Sequence, residues 1–124
     1  MSVTNWDDRP YDIIIFGATS FVGQILTAYM AKTYGFGQGL NWAIAGRSQD
    51  KINDLMGDLG IQADDLPALV GDAADSQFLN DIAAKTRVMV TTVGPYALYG
   101  NEMVAACAAQ GTDYCDLTGE VQWM

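Results

Sequence analysis

Ile13-Ile14-Ile15-Phe16-Gly17-Ala18-Thr19-Ser20-Phe21-Val22-Gly23 is the stretch whose reading decides the fold. A short, continuous apolar run that stops at a glycine predicts a strand buried on both faces, as in a parallel sheet. Past the turn, Val22, Ile25, Leu26, Tyr29 and Met30 recur at the three-and-four spacing of one helix face. That helix is expected to end near Tyr34, because Gly35-Phe36-Gly37-Gln38-Gly39 cannot continue it.

Downstream the pattern repeats. Trp42-Ala43-Ile44-Ala45 reads as a strand closed by Gly46; Ser48 is a helix N-cap, and Ile52, Leu55, Met56 and Leu59 make the next stripe before Gly60. Ala68-Leu69-Val70 is a third strand, followed by Gly71-Asp72. Phe78, Leu79, Ile82 and Ala83 mark a third helix with Asp75 as its cap. Val88 to Val93, rich in β-branched residues and ended by Gly94-Pro95, is a fourth strand. A helix from about Asn101 to Gln110 stops at Gly111, and Asp113 to Leu117 is a fifth strand. Strands alternating with helices predict βαβ units, hence an α/β fold: a Rossmann-type, doubly wound parallel sheet in three α/β/α layers. Residues 1–10 are polar and expected to fray as a flexible N-terminus, with 11–124 forming one dinucleotide-binding domain.

Composition removes several function classes. The net charge of -9 leaves no basic patch for nucleic acid or an anionic membrane. It says nothing against small anionic ligands, since one well-placed Arg can bind a phosphate. The start of the chain lacks the basic-then-apolar order of a signal peptide, and no apolar run nears the roughly 20 residues of a membrane span. Cys107 and Cys115 lack zinc or redox spacing and read as buried thiols of a cytoplasmic protein. Histidine is absent, which excludes Ser-His-Asp and Cys-His chemistry and leaves no metal site to propose.

The first turn carries the cofactor reading. Gly17 permits a sharp turn off the strand, Gly23 removes a side chain where helix and strand pack closely, and the helix N-terminus offers unpaired N–H groups to a pyrophosphate. The cofactor set expected here is Gly17, Thr19, Ser20, Phe21, Val22 and Gly23. Ser20 stands where a middle glycine is usual. Its Cβ intrudes where the pyrophosphate approaches, and its hydroxyl can donate to a phosphate oxygen.

The end of the second strand tests the adenosine ribose. An acid there suits the ribose hydroxyls, whereas Arg suits a 2′-phosphate. Ala45-Gly46-Arg47-Ser48 has no acid until Asp50, so NADP(H) is expected over NAD(H), held by Arg47 and Ser48. The alternative for Arg47 is a solvated charge in the first turn of the next helix. Asp72 is placed either to meet the adenine or to cap the following helix. Val93, Gly94, Pro95 and Tyr96 are expected beside the nicotinamide ribose and phosphates, with Tyr96 and Tyr99 packing there or donating a proton.

With these turns on the page, the sequence resembles the saccharopine dehydrogenase-like oxidoreductases, including the trans-acting enoyl reductases. The resemblance runs from Tyr11 to Met124 and rests on Asp12 to Thr19, on Ala45-Gly46-Arg47-Ser48, on Thr91 to Gly100 and on Gly111 to Glu120. It implies an NADP-linked oxidoreductase whose dinucleotide domain is followed by a larger substrate domain. The chain stops at Trp123-Met124, so the expectation is a truncated or separately expressed piece lacking that domain, with a natural single-domain protein as the alternative. Trp123 and an uncovered face would then favour homo-oligomers. No catalytic residue is assigned; Glu120 is either a cleft residue of the intact enzyme or a solvated acid. A non-catalytic nucleotide-sensing or protein-interaction module is the other functional reading.

Overall fold

A computed structural model describes residues 8–36, 39–62, 64–72, 75–91, 103 and 105–116. Five strands, β1 (Tyr11–Phe16), β2 (Trp42–Gly46), β3 (Ala68–Val70), β4 (Thr86–Thr91) and β5 (Asp113–Asp116), pair in the order β3-β2-β1-β4-β5. Every pairing is parallel. The helices between them are α1 (Phe21–Tyr34), α2 (Gln49–Leu59) and α3 (Ser76–Ala83). A fourth, α4, is described at Met103 and 105–110. The chain steps outward from β1 to β3, crosses back to β4 and continues to β5. The direction of winding therefore reverses between β1 and β4, where open α/β sheets bind ligands.

Alternation along β1 divides the core into two layers. Ile14 and Phe16 join Ala43, Ala45, Met89, Leu79, Ile82, Met103, Ala106 and Cys107 on the α3 and α4 side. Ile15 joins Ile44, Met30, Ile52, Leu55 and Met56 on the α1 and α2 side. Ile14, Ile15 and Ile44 have no exposed surface; each such side chain contributes about 1.5–3 kcal/mol. This is the three-layer sandwich expected from the alternation of elements.

Helix α1 departs from its expected face. Its buried residues are Gly23, Thr27 and Met30, with Leu26 packed beside them. Val22, Ile25 and Tyr29 are exposed. The side that meets the sheet is set by Gly23, which alone can approach the backbone below, and not by the largest apolar residues.

Residues 8–10 also differ from a frayed leader. Arg9 is buried at the N-terminal edge of the sheet, opposite the glycine turns. Its Nη1 donates to the carbonyl of Thr86 and to Thr112 Oγ1, each at 2.6 Å, and to the Ala83 carbonyl at 3.4 Å. Nη2 donates to the carbonyl of Gln110. Thr112 Oγ1 in turn donates to the Ala83 carbonyl at 2.6 Å. One guanidinium thus satisfies the C-terminal carbonyls of α3 and α4 and the start of β4, where helix dipoles favour a cation.

The cysteines part company. Cys107 is buried and Cys115 exposed, so the expectation of two buried thiols fails at Cys115. Tyr114 packs against the α3–α4 core; one residue on, along the edge strand β5, Cys115 faces the other way. Burial pushes the Cys107 thiol from 9.0 up to about 12, with Arg9 pulling weakly the other way.

Arg9→Met should lower the unfolding free energy by about 2–4 kcal/mol, because it strands several buried carbonyls. Arg9→Lys should recover little of this, having no planar fork. Urea titrations of the three proteins measure both. Because the folded Cys107 pKa is raised, the stability tied to its protonated thiol is complete below about 9 and lost as pH climbs towards 12. In the native protein one thiol, Cys115, should react with a maleimide, and Cys107 only on unfolding.

Candidate cofactor site

The site begins where β1 ends. Gly17 takes φ 82, a left-handed angle that disfavours side chains. Its N–H donates to the Ala45 carbonyl at 2.8 Å, Ala18 N–H reaches the same carbonyl at 3.3 Å, and Ser20 N–H closes the turn on the Gly17 carbonyl at 3.0 Å. Helix α1 then rests on this turn. A Cβ at Gly23 would lie 2.2 Å from the Gly17 carbonyl oxygen and 2.8 Å from Ala18 backbone carbons. The close approach expected at Gly23 is real, and its partner is the turn backbone.

Ser20 is the N-cap of α1, its Oγ accepting from Gly23 N–H at 3.0 Å. Gln24, which the sequence did not single out, donates from Nε2 to the Thr19 carbonyl at 2.9 Å. The only cue to it was an amide among apolar neighbours. Together these bonds occupy one helix N–H and fold one carbonyl of the turn back onto the helix. The N–H groups of Thr19, Phe21 and Val22 have no acceptor among the described residues. Three open donors at the positive end of a 14-residue helix fit a pyrophosphate.

The next two turns lie beside the first. Phe16 is in register with Ala45, and Gly46 with Val70, while Gly71 N–H donates to the Gly46 carbonyl at 3.0 Å. Arg47 follows β2, exposed and outside α2, so it is not in the first turn of the helix. Ser48 is the predicted N-cap, its Oγ accepting from Lys51 N–H at 3.3 Å. Lys51, missed in the sequence, places a second cation in the first turn of α2. Past β3, a Cβ on Gly71 would sit 2.4 Å from the Phe78 ring, and Phe78 meets Phe16 with ring centroids 6.3 Å apart. Asp75, not Asp72, caps α3, accepting from Gln77 and Phe78 N–H groups. The capping reading of Asp72 is thereby overturned; its carbonyl accepts from Asp75 N–H at 3.0 Å.

The structure therefore brings Gly17 to Gly23, Arg47, Ser48 and Asp72 to one edge of the sheet. Val93, Gly94, Pro95, Tyr96, Tyr99, Glu120 and Trp123 lie outside the described residues. The neighbouring Thr91 is in register with Phe16 on one side and Asp116 on the other.

Comparison with known proteins gives a consistent picture. Residues 13–122 match the family described as the saccharopine dehydrogenase NADP binding domain. A putative trans-acting enoyl reductase of Mycobacterium tuberculosis is 46% identical over 116 residues, covering 94% of this chain and 27% of that protein. A trans-acting enoyl reductase of Mycobacterium leprae is 41% identical over 117 residues, with the same coverage of 94% and 27%. The chain thus spans about 27% of the length of these curated relatives. Among solved structures, apo saccharopine dehydrogenase (L-Glu forming) of Saccharomyces cerevisiae superposes with a TM-score of 0.67 at 18% identity, over 91% of this chain and 23% of that one. A short-chain dehydrogenase/reductase of Veillonella parvula in complex with NADP gives 0.67 at 15% identity, over 86% and 46%. At such identities the structural likeness establishes the fold, which is that of the Rossmann dehydrogenases.

Gly23→Ala should destabilise the protein by about 1–3 kcal/mol despite alanine's better helix propensity, since the turn backbone cannot yield. Urea denaturation measures the loss, and a calorimetric NADPH titration should show binding weakened with it.

Proposed function

The chain belongs to the family of saccharopine dehydrogenase NADP-binding domains, and from that premise we propose that it is the cofactor-holding part of an NADPH-dependent oxidoreductase. The observation that carries this reading is the trio of open N–H groups on Thr19, Phe21 and Val22 above the Gly17–Gly23 contact. These groups hold the pyrophosphate, and Ser20 and Gln24 keep the turn in the shape that points them outward. Arg47 and Ser48 take the 2′-phosphate, Arg47 as an exposed cation at the end of β2 and Ser48 through the proton of its hydroxyl. Asp72 faces the adenosine end. Val93, Gly94, Pro95 and Tyr96, which come soon after β4 in the sequence, would serve the nicotinamide end.

Bound NADPH would supply a hydride, and the names of the mycobacterial relatives point to the carbon–carbon double bond of an enoyl group as its acceptor. Hydride adds to one carbon and a proton to its neighbour, leaving NADP⁺ and the saturated chain. The proton donor and the substrate pocket belong, in this reading, to a further domain such as the longer relatives have room for. The two thiols and the lack of any described helix able to cross a membrane suit a cytoplasmic enzyme.

Arg47→Ala should weaken NADPH binding by about 10–100-fold, the worth of a charge-assisted contact, and leave NADH nearly unchanged. Calorimetric titration with both cofactors decides it: tighter binding of NADH by the unaltered protein would sink the 2′-phosphate assignment. For the whole enzyme, NADPH oxidation on adding an enoyl thioester is the expected activity. Binding of NADPH by the full-length protein without turnover of any enoyl substrate would favour the sensing module.

A further inference from the structure

Helix α1 has two apolar sides and uses one. Gly23, Thr27 and Met30 face the sheet, while Phe21 (80% exposed), Val22 (43%), Ile25 (56%) and Tyr29 (56%) face outward. Phe21, Ile25 and Tyr29 are spaced by four and form one ridge about 12 Å long. Single exposed apolar residues are ordinary, whereas four on one helix face form a patch that marks an interaction surface.

Two features select the occupant. The first is charge. These 124 residues carry 15 acidic and 6 basic side chains, so two copies of this domain repel across most of its surface. α1 contains no acid, and its single charge, Lys32, lies in the last turn beyond the ridge. By contrast α2 carries Asp50, Asp54 and Asp58, and α3 carries Asp81. A second acidic copy can approach through α1 without a like-charge pair along the ridge. The second feature is order. The ridge reads aromatic, aliphatic, aromatic in either direction. A twofold axis at Ile25 therefore sets each Phe21 against Tyr29 of the other copy, the self-complementary contact that a symmetric dimer needs. Ridges of four-residue spacing pack into one another in the commonest helix-pair geometry.

We propose that the protein forms a homodimer through the outward face of α1, with Ile25 at the twofold axis. Light scattering on the full-length protein across a concentration series should give the mass of a dimer at the upper end. Ile25→Asp and Tyr29→Asp should each raise the dissociation constant about 10-fold or more, as loss of a central anchor does, and Ile25→Leu should preserve the dimer. NADPH affinity and the circular dichroism spectrum should not change in these variants. As a check independent of charge insertion, Ile25→Cys in a Cys115→Ser background should crosslink to its twin on mild oxidation. A monomer at every concentration would overturn the proposal, as would a dimer indifferent to Ile25→Asp, a failure of that crosslink, or a monomer that unfolds with Ile25→Asp because α1 is covered within its own chain.

Discussion

A Cβ at Gly23 would lie only 2.2 Å from the carbonyl oxygen of Gly17, and most of the candidate cofactor edge depends on that contact. Because the helix rests on the turn, its free N–H groups gather beside the turn that follows β1. The same contact selects which side of α1 meets the sheet, putting Thr27 and Met30 inward and turning larger residues out. Thr27 adapts to its buried position by donating to the Gly23 carbonyl at 2.7 Å, so the close-packed side carries no stranded hydroxyl. Ser20 in the place of the usual glycine costs the helix little. Its hydroxyl caps the helix at Gly23 N–H, Gln24 N–H is taken by the Ser20 carbonyl, and the Thr19, Phe21 and Val22 donors before them stay open.

The far edge of the sheet is held by a different device. Arg9 joins the ends of α3 and α4 to the start of β4 and the threonine before β5. These elements arrive there from distant parts of the chain, so one side chain ties together pieces that no local hydrogen bond could. The arrangement leaves the cofactor edge to backbone groups and glycines, and it leaves the strongest cation of the leader unavailable to any phosphate. The Arg9 network and the glycine turns thus lie at opposite edges of one sheet.

Much of this was legible in the sequence because local chemistry and global fold agree at the element ends. Gly17, Ser48, Gly60 and Asp75 each sit where their backbone angle or side-chain oxygen is required, and the turns they mark place Arg47, Ser48 and Asp72 at one edge. The misreadings occur where a distant contact overrides a local pattern. Val22, Ile25 and Tyr29 have the spacing of a buried stripe, yet a glycine outbids them for the sheet. Arg9 looks like part of a polar leader because its partners are residues 83, 86, 110 and 112. Cys115 looks like a core thiol because nothing local says that β5 is an edge strand with one covered side. Gln24 was invisible since its role is a single bond to a carbonyl whose orientation only the fold reveals.

An acidic protein that binds a polyanion needs its attraction to be local, and the placement of its cations shows how that is met. Arg9 is committed at the far edge, Arg87 pairs with Asp12 at 3.6 Å, Lys32 sits at the last turn of α1, and Lys85 precedes β4 at the N-terminal edge. Only Arg47 and Lys51 stand by the cofactor turns. At physiological salt the field of a distant exposed charge decays over about 8 Å, so most of the net charge of -9 is screened from that edge. What remains is short-range: helix dipoles, three N–H donors and the cations Arg47 and Lys51, set against Asp50 in the first turn of α2 and Asp72 past β3. Backbone donors offer attraction that no titration or salt-bridge competition removes, which suits a chain with few basic residues. At the end of β2 the chain carries Arg47 and not the acid that suits an unphosphorylated ribose.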